Sequence, residues 1–419
     1  MAKQKAPWVK PRHKFILKVL TAIGYPYVAL KYHIKVEKFR EDQNRPLLIL
    51  YNHQTAYDQF FVAMAFEKPI YFIASEDIFS LGWASRAISW LVNPIPIKKQ
   101  TSDLRAVRTS LQAAKEGGSV ALAPEGNRTF DGKLCYINPA ILGFIRLLKL
   151  PVAIFRIEGG YGIHPRWSDV IRKGSMKAYT SRVIEHEEIK GLSDEELMDL
   201  ILSELNVDET QIEDSYFSSK NAEYLERAIY VCPDCGLSRF ESQGDKMECK
   251  NCGMEVRYLP DKTFERTDGN EFPFRNVADW YAYQCDTIRG MDLEPYYDKP
   301  VYEDTARLSE VVLYDRKNTI TENAVFTLYG NRLAVRIPEN AGNCDFAGLK
   351  EEDGQKFWHF DETDTITVLG KNKLNIYVGG KVYQIKADSR FNALKYVNIF
   401  NHYKNISKGE NHGEQFLGL

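Results

Sequence analysis

Between residues 46 and 160 the chain alternates short apolar runs with amphipathic stretches. Leu47–Tyr51, Ile70–Ala74, Ile95–Ile97, Ser119–Ala123 and Val152–Ile157 have the compact apolar pattern of buried strands. Thr55–Phe66, Phe79–Leu91 and Leu104–Lys115 have the pattern of helices, and a further helix runs from Asn138-Pro139 to about Lys149. Asn138 is a good N-cap residue, and proline is favoured at the first helical position. Strands alternating with helices predict an α/β domain, a mixed or parallel sheet flanked by helices. Ser193 and Glu196 have the spacing of a capping box, which opens a helix to about Leu205 and closes this domain.

The two ends have other textures. Residues 1–14 are basic, with Lys3, Lys5, Lys10, Arg12, His13 and Lys14 beside Trp8. Phe15–Leu30 then carries a single charge, Lys18, interrupted by Gly24 and Pro26. It is shorter than the roughly 20 apolar residues a spanning helix needs. Two compatible readings follow, a first helix packed on the core and a helix lying in a membrane interface. Residues 261–308, rich in Pro, Asp, Tyr and Trp, read as a linker or irregular extension. From about 309 onward, short β-like runs alternate with turns: Val311–Tyr314, Val325–Tyr329, Leu333–Ile337, Phe357–Phe360, Thr365–Leu369, Lys373–Val378 and Val382–Ile385. Gly330-Asn331 and Gly379-Gly380 suit hairpin turns. A final helix is expected over about Phe391–Tyr403. Seven strands and a terminal helix resemble a pleckstrin-homology or GRAM-like domain.

Composition is that of an ordinary globular protein: of 419 residues, 44% are hydrophobic and 27% charged. That excludes a disordered, collagen-like or polytopic membrane chain. The net charge of −2 hides a split. Residues 1–190 hold 29 Lys+Arg against 16 Asp+Glu, and residues 191–419 hold 26 against 41. A basic front half suits phosphate groups, nucleotides or an anionic membrane. An acidic remainder argues against nucleic acid as a partner.

Two segments carry chemistry. Asn52-His53-Gln54-Thr55-Ala56-Tyr57-Asp58 sits where a strand gives way to a helix, so His53 and Asp58 can meet across the turn. An imidazole beside a carboxylate is the base and orienter of acyl transfer. Pro124-Glu125-Gly126-Asn127-Arg128-Thr129 follows another strand. Its Arg128 can grip a phosphate, Gly126 lets the backbone approach, and Glu125 can orient Arg128 or touch a substrate hydroxyl. His53-x4-Asp58 followed by Glu125-Gly126-Asn127-Arg128 resembles the glycerolipid acyltransferase family, whose best-known members are the 1-acylglycerol-3-phosphate acyltransferases. Pro94–Lys99 and Leu150–Ile154 fall, in order, where that family has its two further blocks. The likeness covers about residues 15–190.

The resemblance implies that His53 is the general base and Asp58 its orienter. It also implies that Glu125, Gly126, Asn127 and Arg128 hold the acceptor, with Lys99 assisting at the phosphate. Thr55 stands where Ser is common, Asn127 where Thr is common, and Lys99 lacks the bidentate fork of Arg. The implied reaction moves a fatty acyl group from a thioester, acyl-CoA or acyl carrier protein, to the hydroxyl of a lysophospholipid, 1-acylglycerol-3-phosphate first among acceptors. It needs no acyl-enzyme, and Cys135 reads as a small buried residue. The other outcomes are another lysolipid acceptor or a lipid-binding scaffold without turnover.

Cys232, Cys235, Cys249 and Cys252 form C-x2-C-x13-C-x2-C, the spacing of a four-thiolate zinc ribbon, with a rubredoxin-like iron site on the same ligands as the alternative; such a closed tetrahedral site is expected to be structural. The expected domains are therefore 1–40, a membrane-interface helical segment; 41–210, catalytic; 228–260, the zinc ribbon; 261–308, linker; and 309–419, β-rich. Paired thiols and the lack of a recognisable secretion signal lead to an expected place on the cytoplasmic face of the cell membrane, peripheral or monotopic.

Overall fold

The computed structural model describes residues 6–40, 45–97, 104–312, 315–338, 347–352 and 355–408. They divide into two compact units, residues 1–166 with 171–217, and residues 167–170 with 218–419.

The first unit is built on a seven-stranded sheet: β1 (Ile34–Val36), β2 (Leu48–Tyr51), β3 (Ile70–Ser75), β4 (Ile95–Ile97), β5 (Ser119–Leu122), β6 (Val152–Glu158) and β7 (Met176–Ile184). Their spatial order is β1-β7-β6-β2-β5-β3-β4. Strands β2 to β6 run parallel, while β7 runs antiparallel to β6 and parallel to β1. Side chains alternate across a strand, so β2 feeds two cores at once. Ile49 and Tyr51 pack with Tyr25, Val28, Tyr32, Phe61 and Phe155 on one face. Leu48 and Leu50 pack with Ile141, Ile145, Leu197 and Ile201 on the other. All four β2 residues are buried, which is why the strand reads as an unbroken apolar run.

The N-terminal segment is helical from Pro11 to Tyr32, with one π turn at Leu20–Gly24. Ile16, Tyr25, Val28 and Tyr32 are buried, whereas Phe15, Val19, Ile23, Tyr27 and Leu30 lie 42–76% exposed. Lys3 and Lys5 fall outside the described residues. No helix among the described residues is long and apolar enough to cross a membrane. The helix Asp194–Leu205 begins at the expected box, with Ser193 Oγ accepting from the Glu196 N–H and the Glu196 carboxylate from the Ser193 N–H. Strands β1 and β7 were not expected. Met176–Ile184 mixes buried with charged or exposed positions, so no apolar run marks it.

The second unit opens with β8 (Val231–Cys232) and β9 (Gly236–Leu237), then β10 (Phe240–Gln243), β11 (Lys246–Cys249), β12 (Glu255–Tyr258) and β13 (Phe264–Arg266) in one antiparallel meander. Residues 261–308 are structured, unlike the linker expected of them. They supply β13, the helix Val277–Arg289 and the first half of a long strand. Phe264, Phe272 and Phe274 cluster around Trp280, and such scattered aromatics leave no periodic signal. Trp280 Nε1 donates to the Val231 carbonyl at 2.7 Å, and Gln284 Oε1 accepts from the Tyr230 N–H at 2.7 Å. Ribbon and helix therefore share one core.

The remaining sheet has eight strands: β14 (Tyr302–Val312), β15 (Arg316–Leu328), β16 (Arg332–Arg336), β17 (Leu349–Glu352), β18 (Gln355–His359), β19 (Thr365–Leu369), β20 (Lys373–Val378) and β21 (Lys381–Lys386). Their order is β17-β18-β16-β15-β14-β21-β20-β19. The helix Leu394–Lys408 follows, with Phe400 edge-on to Phe360. The β-rich region thus begins at Tyr302 rather than 309, and the end of the expected strand Val311–Tyr314 lies outside the described residues.

Candidate active site

The central strands β6, β2 and β5 are parallel neighbours, so the loops leaving their C-terminal ends emerge side by side, where open α/β sheets bind ligands. The segment after β2 ties the three together. Asn52 is buried and bonds Ile157 of β6 twice, Nδ2 to its carbonyl at 2.9 Å and Oδ1 from its N–H at 2.8 Å. That pair continues the ladder where the β2 backbone leaves the sheet. His53 donates its backbone N–H to Glu125 Oε1 at 2.6 Å, and its carbonyl accepts from the Thr129 N–H at 3.2 Å. Gln54 Oε1 accepts from the Tyr161 N–H in the loop after β6 at 2.8 Å.

His53 Nδ1 lies 2.8 Å from Asp58 Oδ2. Asp58 is fully buried at the start of the helix Asp58–Ala65 and accepts from the backbone N–H groups of Gln54 and Thr55 and from Thr55 Oγ1. A carboxylate facing Nδ1 is the arrangement that can orient an imidazole with Nε2 turned outward. The imidazole remains 24% exposed while its partner is closed off. Thr55, in the place of a common Ser, supplies the hydroxyl that binds Asp58.

Glu125, Asn127 and Arg128 are all buried in the loop after β5. Gly126 adopts φ +68°, the left-handed region that glycine reaches without strain. Both Glu125 oxygens accept backbone N–H groups, from His53 and from Cys135 at 2.8 Å. The carboxyl joins the two loops rather than orienting Arg128, the role the sequence suggested. Burial pushes its pKa up to about 8, against the pull of those two hydrogen bonds. Arg128 Nη1 is buried with no hydrogen-bond partner among the described residues. Burial lowers its pKa, while the nearby Asp58 and Tyr32 favour its charge. A buried guanidinium nitrogen without a hydrogen-bond partner is costly. Lys99 lies outside the described residues, just beyond β4. Burial and Glu125 push the Cys135 thiol pKa well up, the reverse of an activated nucleophile.

Sequence reasoning raised Tyr161 and Arg166 only as lining for the acceptor or acyl pocket, and gave Gln54 no role. Gln54, Tyr161 and Arg166 are buried, and each bonds across a separation of 31 residues or more.

In the second unit, the four cysteine sulfurs lie within 4.8 Å of one another. Cys232 Sγ is 3.7 Å from Cys252 Sγ, and Cys235 Sγ is 3.6 Å from Cys249 Sγ. A tetrahedral zinc with 2.3 Å bonds needs sulfurs about 3.8 Å apart, so the donor set fits that ion. Gly236 and Gly253, one after each pair, share φ +80°, which closes each turn.

A partly exposed imidazole on a buried carboxylate and a loop with a buried arginine thus meet at the C-terminal edge of a mixed sheet. Comparison with known proteins narrows the class. Residues 32–157 match the family model described as Acyltransferase. The chain is 26% identical over 194 residues to the chloroplastic 1-acyl-sn-glycerol-3-phosphate acyltransferase LPAT1 of Arabidopsis thaliana, covering 44% of this chain and 51% of that protein. It is 26% identical over 186 residues to the chloroplastic 1-acyl-sn-glycerol-3-phosphate acyltransferase BAT2 of Brassica napus, covering 43% and 51%. The chain thus spans about half the length of these curated relatives. The crystal structure of the 1-acyl-sn-glycerophosphate acyltransferase PlsC from Thermotoga maritima aligns at 21% identity and a TM-score of 0.38, covering 46% of this chain and 77% of that one. Residues 32–157 thus match an acyltransferase family model, and the same part of the chain is similar to 1-acylglycerol-3-phosphate acyltransferases.

Proposed function

We propose that the protein transfers a fatty acyl group from acyl-CoA or acyl carrier protein to the free hydroxyl of a lysophospholipid, with 1-acylglycerol-3-phosphate as acceptor and phosphatidate as product. The observation that carries this reading is the 2.8 Å His53–Asp58 pair in one site with the buried, unpartnered Nη1 of Arg128. His53 Nε2 takes the acceptor hydroxyl proton as the oxygen attacks the thioester carbonyl. The C–S bond then breaks, and the imidazolium returns the proton to the departing thiolate. Asp58 stabilises the charged imidazole between these steps. Arg128 holds the acceptor phosphate, on the loop that Gly126 turns and Glu125 anchors. Asn127 and Lys99 belong to the same phosphate-binding role by family likeness.

The exposed apolar row from Phe15 to Leu30, flanked by Lys10, Arg12, Lys14, Lys18 and Lys31, supports a monotopic seat on an anionic membrane surface, its cytoplasmic face. Cys232, Cys235, Cys249 and Cys252 would hold one structural zinc. The strand order in the β-rich part, with β14–β16 and β19–β21 as antiparallel meanders joined through β14 and β21, the β17–β18 hairpin added beside β16, and a helix following, supports the pleckstrin-homology-like reading.

The test is thioester consumption by the protein in detergent micelles, with lysophosphatidate as acceptor. Wild-type turnover is expected, and His53→Ala should lose it by about 10²–10⁴-fold. Equal turnover in wild type and variant would remove His53 as the base. No turnover with any lysolipid, using either donor class, would leave a lipid-binding scaffold.

A further inference from the structure

Arg166, in the loop after β6, is 1% exposed. Its Nη1 donates to the backbone carbonyl of Arg128 at 2.7 Å, and its guanidinium carbon stands 4.1 Å from the centre of the Phe130 ring. The next links fall on the neighbouring residues. The Thr129 N–H donates to the His53 carbonyl at 3.2 Å, and the Phe130 carbonyl accepts from Tyr161 Oη at 3.2 Å. Backbone residues 128, 129 and 130 are therefore each held from outside the loop. The residue that Arg166 grips is the one whose own Nη1 is buried without a hydrogen-bond partner among the described residues. A neutral donor would satisfy a carbonyl equally well. A guanidinium can also lie flat against the Phe130 ring, which fixes the direction of its hydrogen bond.

We infer that Arg166 is a positioning residue for the anionic group of the acceptor, setting the orientation of the Arg128 loop without touching substrate. The inference rests on the acyl-transfer reading. It places Arg166 in acceptor recognition rather than in proton transfer.

The experiment compares wild type, Arg166→Met and Arg166→Lys in three readouts: thermal melting, kinetics with lysophosphatidate and with the neutral 1-monoacylglycerol, and calorimetric binding of glycerol 3-phosphate. Arg166→Met should raise the lysophosphatidate KM about tenfold or more while kcat and the donor KM stay within about twofold. Monoacylglycerol turnover should not change. Arg166→Lys should recover part of the loss, because an ammonium reaches the carbonyl but does not stack. A folded Arg166→Met with an unchanged lysophosphatidate KM overturns the inference, as does an equal loss on both acceptors. If Arg166→Met does not fold, Arg166→Lys decides alone: a raised KM at an intact melting temperature supports it, and an unchanged KM overturns it. If the wild type turns over no lysolipid, the acyl-transfer reading falls by itself. Glycerol 3-phosphate binding then decides, since weaker binding in the variants keeps the positioning role and equal or absent binding ends it.

Discussion

Glu125 bears a carboxyl whose proton affinity is raised by burial, yet both its oxygens face backbone donors. This has a consequence for stability. The folded-state pKa of about 8 lies above the ordinary value of 4.5, so the folded protein retains a proton that the unfolded chain has lost. The stabilisation is complete below about pH 4.5 and is lost as pH rises towards 8. Denaturant melts at pH 5 and pH 8 should therefore differ for the wild type. Glu125→Gln should lower stability by about 1–3 kcal/mol at pH 5, since one backbone N–H loses its acceptor, and should flatten the slope. Equal slopes in the two proteins would show that Glu125 does not titrate there. The motif residues were legible because their chemistry is local. His53 and Asp58 are five positions apart, and one turn of backbone brings them together. Glu125 was legible as a site residue but not as a tie between loops, because its partner His53 is 72 positions away.

The helical segment Pro11–Tyr32 shows two apolar faces. One is closed over the sheet by Tyr25, Val28 and Tyr32. The other presents Phe15, Val19, Ile23, Tyr27 and Leu30, spaced by four, four, four and three residues, close to the helical repeat. Sequence left core packing and membrane contact as compatible alternatives for this segment. The structure buries one face and leaves the other exposed, because 3.6 residues per turn assign each position to one side. Replacing Ile23 and Leu30 together with Glu should reduce sedimentation with anionic vesicles at least severalfold without lowering the melting temperature, since neither side chain enters the core. Unchanged vesicle binding would move the membrane contact elsewhere. The strands of the first sheet were read well where both faces are buried. They were missed at β1 and β7, where polar side chains interrupt the apolar pattern.

In the second unit the cysteine turns are part of a larger core. Trp280 and Gln284 bind the backbone that leads into Cys232, and Tyr302 Oη reaches the carbonyls of Tyr230 and Ser238. A bound zinc should therefore stabilise more than residues 228–260. Release by a thiol-modifying reagent should yield about one zinc per chain, and the stripped protein should be cleaved by trypsin within residues 228–308 much faster than the loaded one. Metal analysis that finds no zinc, or proteolysis indifferent to its removal, would remove the ion from the account.

The chain alone made the α/β rhythm, the His53–Asp58 pair and the two cysteine turns readable, because each depends on spacing within a few residues of backbone. It did not reveal that residues 261–308 fold, nor that Asn52, Gln54, Tyr161 and Arg166 bind the loops of the site together. Those contacts join positions from 31 to 107 residues apart, and no local period encodes which buried donor meets which carbonyl. Packing at the ends of β6, β2 and β5 made that choice, because polar groups buried there must find partners in whatever loop the sheet order brings alongside.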